Sequence, residues 1–428
     1  MIAGLRRLLL LFALAALPAL AQQASGASAA RQNAEDFDAM WRAVDKGYAY
    51  FDRSRVAWRR ARDVWRPRAA RARSRPEFVA ALERALDELH DDHVGLSERT
   101  AASPRRVPAD TDIWAFWKDG AAVVEAIRTY GEADVAGLRP GHVVTRIAGL
   151  PVERAVREQL GGGAVAGAAA RDWALRHALV GPRSGALRLE VREGRGMRRL
   201  EILRDAEHAP NAAPLIGRRM GEDRDLGYIR IKAPLSEPRL PETFDGALHY
   251  LKDTRALILD LREVSGPSFD TLGIDTLRID RLRTRAGMLA ILGRFAPRPS
   301  PWQIRESRGG ERATDTVAPR GATPYSAPLV VLVDRWTASE GEALAAGLHA
   351  VAQARLVGTP MAGLRGELTE VRLPHSGILV RFPGERVFHV DGTPREALKP
   401  TVPVDLANPQ GGPGDPILYQ ALKLLERK

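Results

Sequence analysis

The stretch LVVLVDRWTASEGEALAAGLH (329–349) decides how this chain folds. It opens with an unbroken apolar run (329–333), the pattern of a strand buried on both faces of a parallel sheet. A helix is expected to follow, because Ser339-Glu340-Gly341-Glu342 matches the Ser-x-x-Glu box that starts one. Strand, short turn, helix is the building unit of an α/β sheet. Ser339 sits at the joint. In its simplest role it is a helix cap, and Glu342 is a structural cap in either case. The same position also places a serine beside outward-pointing backbone N–H groups and the positive end of a helix dipole, which can stabilise an oxyanion. Such a serine still needs a base, because a free hydroxyl is a weak nucleophile near neutral pH.

Working outward, LGYIRI (226–231) and ALILDL (256–261) read as further strands, with FDGALHYLK (244–252) helical between them. LVG (356–358), ELTEVRL (367–373) and GILVRF (377–382) are expected to continue the same sheet. Between about 110 and 205 the pattern changes to short strands and turns. AAVVEAI (121–127) and HVVTRIAGLPV (142–152) have strand composition, and GLRPG (137–141) is a turn. ALRLEV (186–191) and RRLEIL (198–203) alternate by two and read as a hairpin. The N-terminal part is helical. Phe37, Met40, Trp41, Val44 and Tyr48 share one helix face; Trp58, Ala61 and Trp65 suggest a second helix. Ser74 and Glu77 can form a capping box before the stripe Phe78, Leu82, Leu86, Leu89, which runs into HDDHVGL (90–96).

The bulk properties set limits. The 428 residues suffice for two or three domains, and 45% hydrophobic content supports a sizeable core. The net charge of +11 comes from scattered arginines, with no zinc or helix-turn-helix spacing, so it reads as a solvated basic surface and not as a nucleic-acid site. MIAGLRR followed by LLLLFALAALPAL and the small-x-small triplet Ala19-Leu20-Ala21 reads as a cleavable signal peptide. No later stretch is apolar enough to span a bilayer, and with no cysteine there is neither a lipid-attachment site nor a disulfide. The expectation is a periplasmic or secreted protein: signal peptide 1–21, linker 22–32, helical domain 33–105, β-rich domain 106–208 and α/β core 209–428.

Four segments in order resemble the tricorn and carboxyl-terminal processing (tail-specific) serine peptidases. TASEGEALAAGL (337–348) is similar to their T-x-S-x-(S/A/G)-E nucleophile segment, LGYIRI to I-G-Y-I-x-I, and ALILDLREVSG (256–266) to I-I-D-L-R-x-N-x-G-G. EFVAALERALDELHDDHVGL (77–96) resembles the end of the family's helical region. ADVAGLRPGHVVTRIAGLPV (133–152) resembles a PDZ domain, with His142 for the usual Asp and Ala148 for the usual Asn. The resemblance implies a multidomain α/β protein: helices, a PDZ-like β-rich domain that takes an extended peptide as an added strand, and a crotonase/ClpP-like core. It implies a polypeptide substrate and no cofactor, and leaves a homo-oligomer open.

The resemblance also implies roles. The nucleophile maps to Ser339. The tail-specific branch takes its base from a G-K-G-x-x-Q segment; the corresponding VGTPMAGLRGELTEV (357–371) has Leu364 at the lysine position. Arg365 is adjacent, but a guanidinium stays protonated and is no base. The tricorn-like branch uses a histidine ending the helical region, in L-x-D-x-H, which maps to His93. An imidazole suits proton abstraction near neutral pH. DGTPREALKPTVPVD (391–405) offers Glu396 as a third, supporting member, with Thr401 where Asp is usual. The oxyanion hole would use the N–H of Glu340 and one from the loop after ALILDL. The family has Gly-Gly there; this chain has Gly266-Pro267, and proline has no N–H. Gly266 serves if the donor is the first glycine; the hole loses a donor if it is the second. Val264 replaces the family's Asn.

Other features have plainer readings. HDDH (90–93) lacks the further ligand segment of a zinc site, His375 and His389 stand apart, and no metal is expected. His90 is expected in solvent, and Asp92 is a candidate to hold the loop or the imidazole. Asp260 and Arg262 would organise their strand end, and Trp41, Trp58 and Trp65 would be core. GGGAVAG (161–167) lacks the context of a phosphate loop. Two rival functions are a binding protein for apolar ligands on the same scaffold and a peptide-binding envelope adaptor with a vestigial core.

Overall fold

The computed structural model describes residues 27–51, 58–161, 167–204, 213–265, 274–321, 324–410 and 414–426. The signal-peptide segment, Gly266, Pro267 and most of GGGAVAG lie outside the described residues. The chain forms two units. One runs to Leu89 and adds Val94–Ser103 and Thr369–Phe382; the other holds His90–His93, Pro104–Leu368 and Pro383 onward.

The first unit is built on three helices: α1 (27–47), α2 (Trp58–Ala70) and α3 (Arg75–Asp87). Helix α1 takes in 27–32, which the sequence assigned to a linker. Ala27, Ala29 and Ala30 are strong helix formers, and Arg31 pairs with Glu35 one turn on, 2.8 Å away. The expected stripe is buried at Phe37, Met40, Val44 and Tyr48. Trp41 and Trp58 each donate an indole N–H to the other's backbone carbonyl, at 2.9 and 3.1 Å. Ser74 caps α3 by accepting the Glu77 N–H, while the Glu77 carboxylate accepts from Arg73 and so shifts the expected box by one residue. Strand β1 (Gly95–Leu96) pairs antiparallel with Val380 and Arg381, and Leu89, Leu96, Ile378, Val380 and Phe382 close this core.

The second unit begins with an antiparallel sheet. Its strands are β2 (Ile113–Lys118), β3 (Ala121–Ile127), β4 (Val143–Ile147), β5 (Leu150–Pro151), β6 (Ala186–Glu193) and β7 (Gly196–Leu203). The order is β2-β3-β4-β6-β7, with β5 on β4. The β6–β7 hairpin confirms the sequence reading, in register to Glu193↔Gly196. The strand read through 142–152 is interrupted: Ala148 and Gly149 both take positive φ, 49° and 81°, and turn the chain between β4 and β5. Asn and Gly favour that turn, so Ala148 occupies a position that suits the usual Asn better. Helices α4 (Glu132–Val135), α5 (Val152–Gln159) and α6 (Ala168–Leu179) complete the domain. Helix α6 packs on the edge strand β2, and the Asp172 carboxylate accepts the N–H of Trp117 at 2.8 Å.

The α/β core follows. Strands β8 (Leu215–Met220), β9 (Leu226–Ile231) and β10 (Ala256–Asp260) alternate with helices α7 (Leu240–Tyr250) and α8 (Ile274–Leu292). After the hairpin β11 (Ser300–Ser307) and β12 (Arg312–Val317) come β13 (Leu329–Val333), α9 (Glu340–Ala352) and β14 (Arg355–Gly358). Strand β17 (Val402–Pro403) completes the sheet, in the order β17-β14-β13-β10-β9-β8. All pairs are parallel except β8–β9. Every residue of β10 and β13 is buried, as their unbroken apolar runs require. Helix α10 (Pro416–Leu424) packs on β13 and β14.

One expectation fails. The segments 367–373 and 377–382 do not continue that sheet. They are β15 (Glu367–Arg372) and the start of β16 (Leu379–Phe388), whose later half pairs antiparallel with β11. Helix α9 lies between the two sheets, against β11 on one side and β13 and β14 on the other. Its residues Gly341–Leu348 are all buried. This sandwiched helix carries the serine at its N-terminus.

Candidate active site

The turn between β13 and α9 is built by its own side chains. Asp334 ends the strand and accepts N–H bonds from Trp336 and Thr337 at 3.0 and 2.9 Å. The Thr337 hydroxyl donates to the Leu261 carbonyl, and the Ala338 N–H donates to the Val264 carbonyl at 2.9 Å. The loop after β10 is thereby held against the loop before Ser339. A Cβ on Gly341 would collide with that same Val264 oxygen, so only glycine fits there. Val264, in place of the family's Asn, is buried and contributes its backbone. Asp260 and Arg262 form the expected strand-end brace: Arg262 grips Asp260 with two bonds, 2.9 and 2.7 Å, and Tyr228 donates to the same carboxylate.

Ser339 occupies a strained backbone, φ 52° and ψ −112°. L-residues avoid this region and hold it only where the surroundings enforce it. The enforcing group is Glu342. Its carboxylate is fully buried and accepts three N–H bonds: Ser339 at 2.9 Å, Gly363 at 2.9 Å and Leu364 at 3.2 Å. Burial pushes its carboxyl up to about 7, against the opposing charge of Arg395 and the three N–H donors. The predicted cap therefore does more than close a helix. It ties the serine to the 363–365 segment.

His93 lies within reach of Ser339 although 246 positions precede it: its Nε2 is 3.2 Å from the Ser339 Oγ. Its Nδ1 is 2.6 Å from the carbonyl oxygen of Arg365. A carbonyl only accepts, so Nδ1 carries the proton and Nε2 presents a lone pair to the serine hydroxyl. Burial holds the His93 pKa below its usual value, with Arg395 acting in the same direction and the Arg365 carbonyl, Asp91 and Glu340 opposing. The ring is thus neutral near pH 7. Its backbone N–H donates to Asp91 at 2.9 Å.

The other predicted residues are placed as follows. Leu364, at the family's lysine position, is buried with Trp336, Ala338 and Ala362. Glu340 is the first residue of α9, so its N–H has no intrahelical acceptor. Glu396 lies on the 3-10 turn Arg395–Ala397, which packs against α9. The ring nitrogen that an orienting carboxylate would take, Nδ1, is held by Arg365. Gly266 falls outside the described residues. Among HDDH, Asp91 serves the His93 backbone and Asp92 bonds Arg176 and His177 of α6, at 3.2 and 2.8 Å. His90 is half-buried beside Trp173, 5.0 Å between rings, and not in solvent as expected. Among the described residues no group of three or more His, Asp or Glu side chains is placed to hold a metal ion, and no helix is long and apolar enough to cross a membrane.

Sequence reasoning missed two contributors. Arg365 offers no base in its side chain and acts through its carbonyl, which any residue carries. Arg395, beside Glu396, carries no motif that marks it. It is buried, donates to the Gly366 carbonyl at 2.7 Å and bears on both His93 and Glu342.

Comparison with known proteins finds peptidases similar in parts of the sequence and in fold. Residues 285–404 match Peptidase family S41, and residues 29–87 match the Tricorn protease C1 domain. The fold is shared with the photosystem II D1 C-terminal processing protease, at 19% identity and TM-score 0.54 over 87% of this chain and 93% of that one. It is also shared with mature CPAF, at 16% identity and TM-score 0.54 over 88% and 93%. A putative peptidase from Parabacteroides merdae ATCC 43184 aligns at 16% identity and TM-score 0.50 over 91% and 96%. No curated protein matches the chain by sequence. These matches mark the chain as a serine peptidase: the region that holds Ser339 matches family S41, and the N-terminal helices match the Tricorn protease C1 domain.

Proposed function

We propose that this protein is an exported endopeptidase that cleaves polypeptides through Ser339, with His93 as general base. The observation that carries the reading is the pair of bonds on one imidazole, Nε2 to Ser339 and Nδ1 to the Arg365 carbonyl. Ser339 Oγ attacks the peptide carbonyl carbon while its proton passes to Nε2. The tetrahedral oxyanion is held by the Glu340 N–H at the start of α9, with Gly266 as second donor. His93 returns the proton to the leaving amine, an acyl-enzyme remains, and water releases it by the same route. Glu396 supports the pair from its neighbouring turn and not through Nδ1. The domain over 106–208 is PDZ-like and presents an extended segment of the substrate. Strand addition at β2 would displace Asp172 from the Trp117 N–H. The core is of the crotonase/ClpP-like kind. Export rests on the signal-like segment 1–21.

The test is fluorophosphonate labelling of the mature protein, read by intact mass beside Ser339→Ala and His93→Ala. One adduct on the wild type, lost in both variants, is expected. Labelling that survives in His93→Ala at the wild-type rate would remove His93 from the mechanism.

A further inference from the structure

We propose that Arg176 and His177 are positioning residues for His93, acting through Asp92; this rests on the Ser339–His93 reading above. His93 belongs to the short non-helical, non-strand segment His90–His93 of the second unit. No helix or sheet ladder sets the position of such a segment, so side-chain anchors must. Asp92 supplies one. Its carboxylate is buried, and both oxygens are committed to α6: Oδ1 lies 2.8 Å from His177 Nε2 and Oδ2 lies 3.2 Å from Arg176 Nη2. A carboxylate only accepts, so His177 donates from Nε2. Burial alone would raise the Asp92 pKa, but the His177 bond and the Arg176 charge outweigh it and hold the group ionised.

The anchors are themselves held. The His177 ring stacks on buried Trp173, 4.0 Å between centroids and 27° between planes. Arg176 lies over the Trp114 ring of β2 at 4.8 Å. The same ring carries Arg335 at 5.1 Å, and Arg335 is part of the turn that ends in Ser339. Arg335 also makes two bonds to Glu125 on β3, at 2.7 and 2.8 Å. The β-rich domain thus grips the chain on both sides of the reacting pair, one residue before the base and four before the nucleophile. Proton transfer needs the imidazole within a fraction of an ångström of its place, and a 1 Å misplacement costs about 100-fold in rate.

The experiment compares fluorophosphonate inactivation of Asp92→Asn, His177→Ala and His177→Gln with wild type and His93→Ala, separating kinact from KI. Asp92→Asn keeps the shape and removes the charge; glutamine keeps a donor at position 177. The expected result is a kinact lowered about 10- to 100-fold in Asp92→Asn and His177→Ala. KI and the unfolding temperature stay near wild type, and His177→Gln recovers most of the rate. If His177→Ala does not fold, Asp92→Asn carries the test alone. Unchanged kinact in folded Asp92→Asn would overturn the proposal, and so would a KI effect with kinact intact. A wild type that does not label at all sinks the Ser339–His93 reading itself. A wild type that labels and needs His93 but ignores Asp92 and His177 sinks only this inference.

Discussion

The Nδ1 of His93 and the carbonyl oxygen of Arg365 lie 2.6 Å apart. That one contact assigns the tautomer, aims the Nε2 lone pair at Ser339, and replaces the carboxylate that orients the histidine in a Ser-His-Asp arrangement. It also joins a closed circuit. Ser339 bonds Glu342 through its N–H, Glu342 holds Gly363 and Leu364, Arg365 follows in the chain, and His93 returns to Ser339.

On the proposed mechanism the acid limb of reactivity belongs to His93. Its pKa is held below 6.5, chiefly by burial. Protonation fills the Nε2 lone pair and removes the base. The Ser339 labelling rate is expected to be flat through neutral pH, then fall roughly tenfold per pH unit below the folded pKa. The sign for stability is the same: with the folded pKa depressed, the contribution is present above 6.5 and lost as pH falls through the folded value. A rate profile with its midpoint above 7 would assign the limb to another group.

Glu342 titrates in the opposite sense. Its folded pKa is raised from 4.5 to about 7, so the folded chain binds more protons than the unfolded chain between those values. Its contribution to stability therefore falls as pH rises through that window. Glu342→Gln should remove this slope. It also leaves one carbonyl oxygen for three N–H donors, at a cost of about 1–3 kcal/mol. Denaturant unfolding at both ends of the window measures both effects; an unaltered slope would contradict the assignment.

Backbone strain at Ser339 separates two variants that lack the hydroxyl. Glycine accepts φ 52° and ψ −112° without a Cβ clash, whereas alanine keeps it. Ser339→Gly is expected to be more stable than Ser339→Ala by about 1 kcal/mol, with neither labelled. Equilibrium unfolding decides it, and a more stable alanine variant would show that the joint is relaxed.

A lysine at position 364 should not rebuild a Ser-Lys pair. Leu364 is 7% exposed and packs with Trp336 and Ala338, so an ammonium there enters an apolar cluster. Leu364→Lys in a His93→Ala background is expected to stay unlabelled and to unfold more easily. Recovery of labelling would show that the pocket still accepts the lysine route.

Much of the fold was legible because its signals are local. The apolar runs at 329–333 and 256–260 could only be buried strands, and Ser339 followed by Glu342 could only start a helix. Helix α6 gave no such signal: its sequence AAARDWALRHAL mixes alanine and arginine without a clear stripe, yet it carries both anchors of Asp92. Strand composition does not name a partner: β15 pairs with β16, and Val380 and Arg381 pair with β1, a choice among distant segments. At 27–32 the small and polar residues suggested a linker, where alanine propensity and an Arg31–Glu35 pair extend the helix.

The sequence by itself determined the strand–serine–helix joint, the buried parallel strands and, through resemblance, Ser339 and His93 as the residues to test. Only the tertiary structure decided that these two meet at 3.2 Å, which tautomer the ring holds, and that Glu342 and the Arg365 carbonyl keep them aligned. The reason is physical. Propensity and apolar periodicity act over a few residues and are written in the local sequence. A hydrogen bond between groups 246 positions apart depends on how every intervening element packs. A backbone carbonyl, identical at every residue, acquires a role only from where the fold puts it.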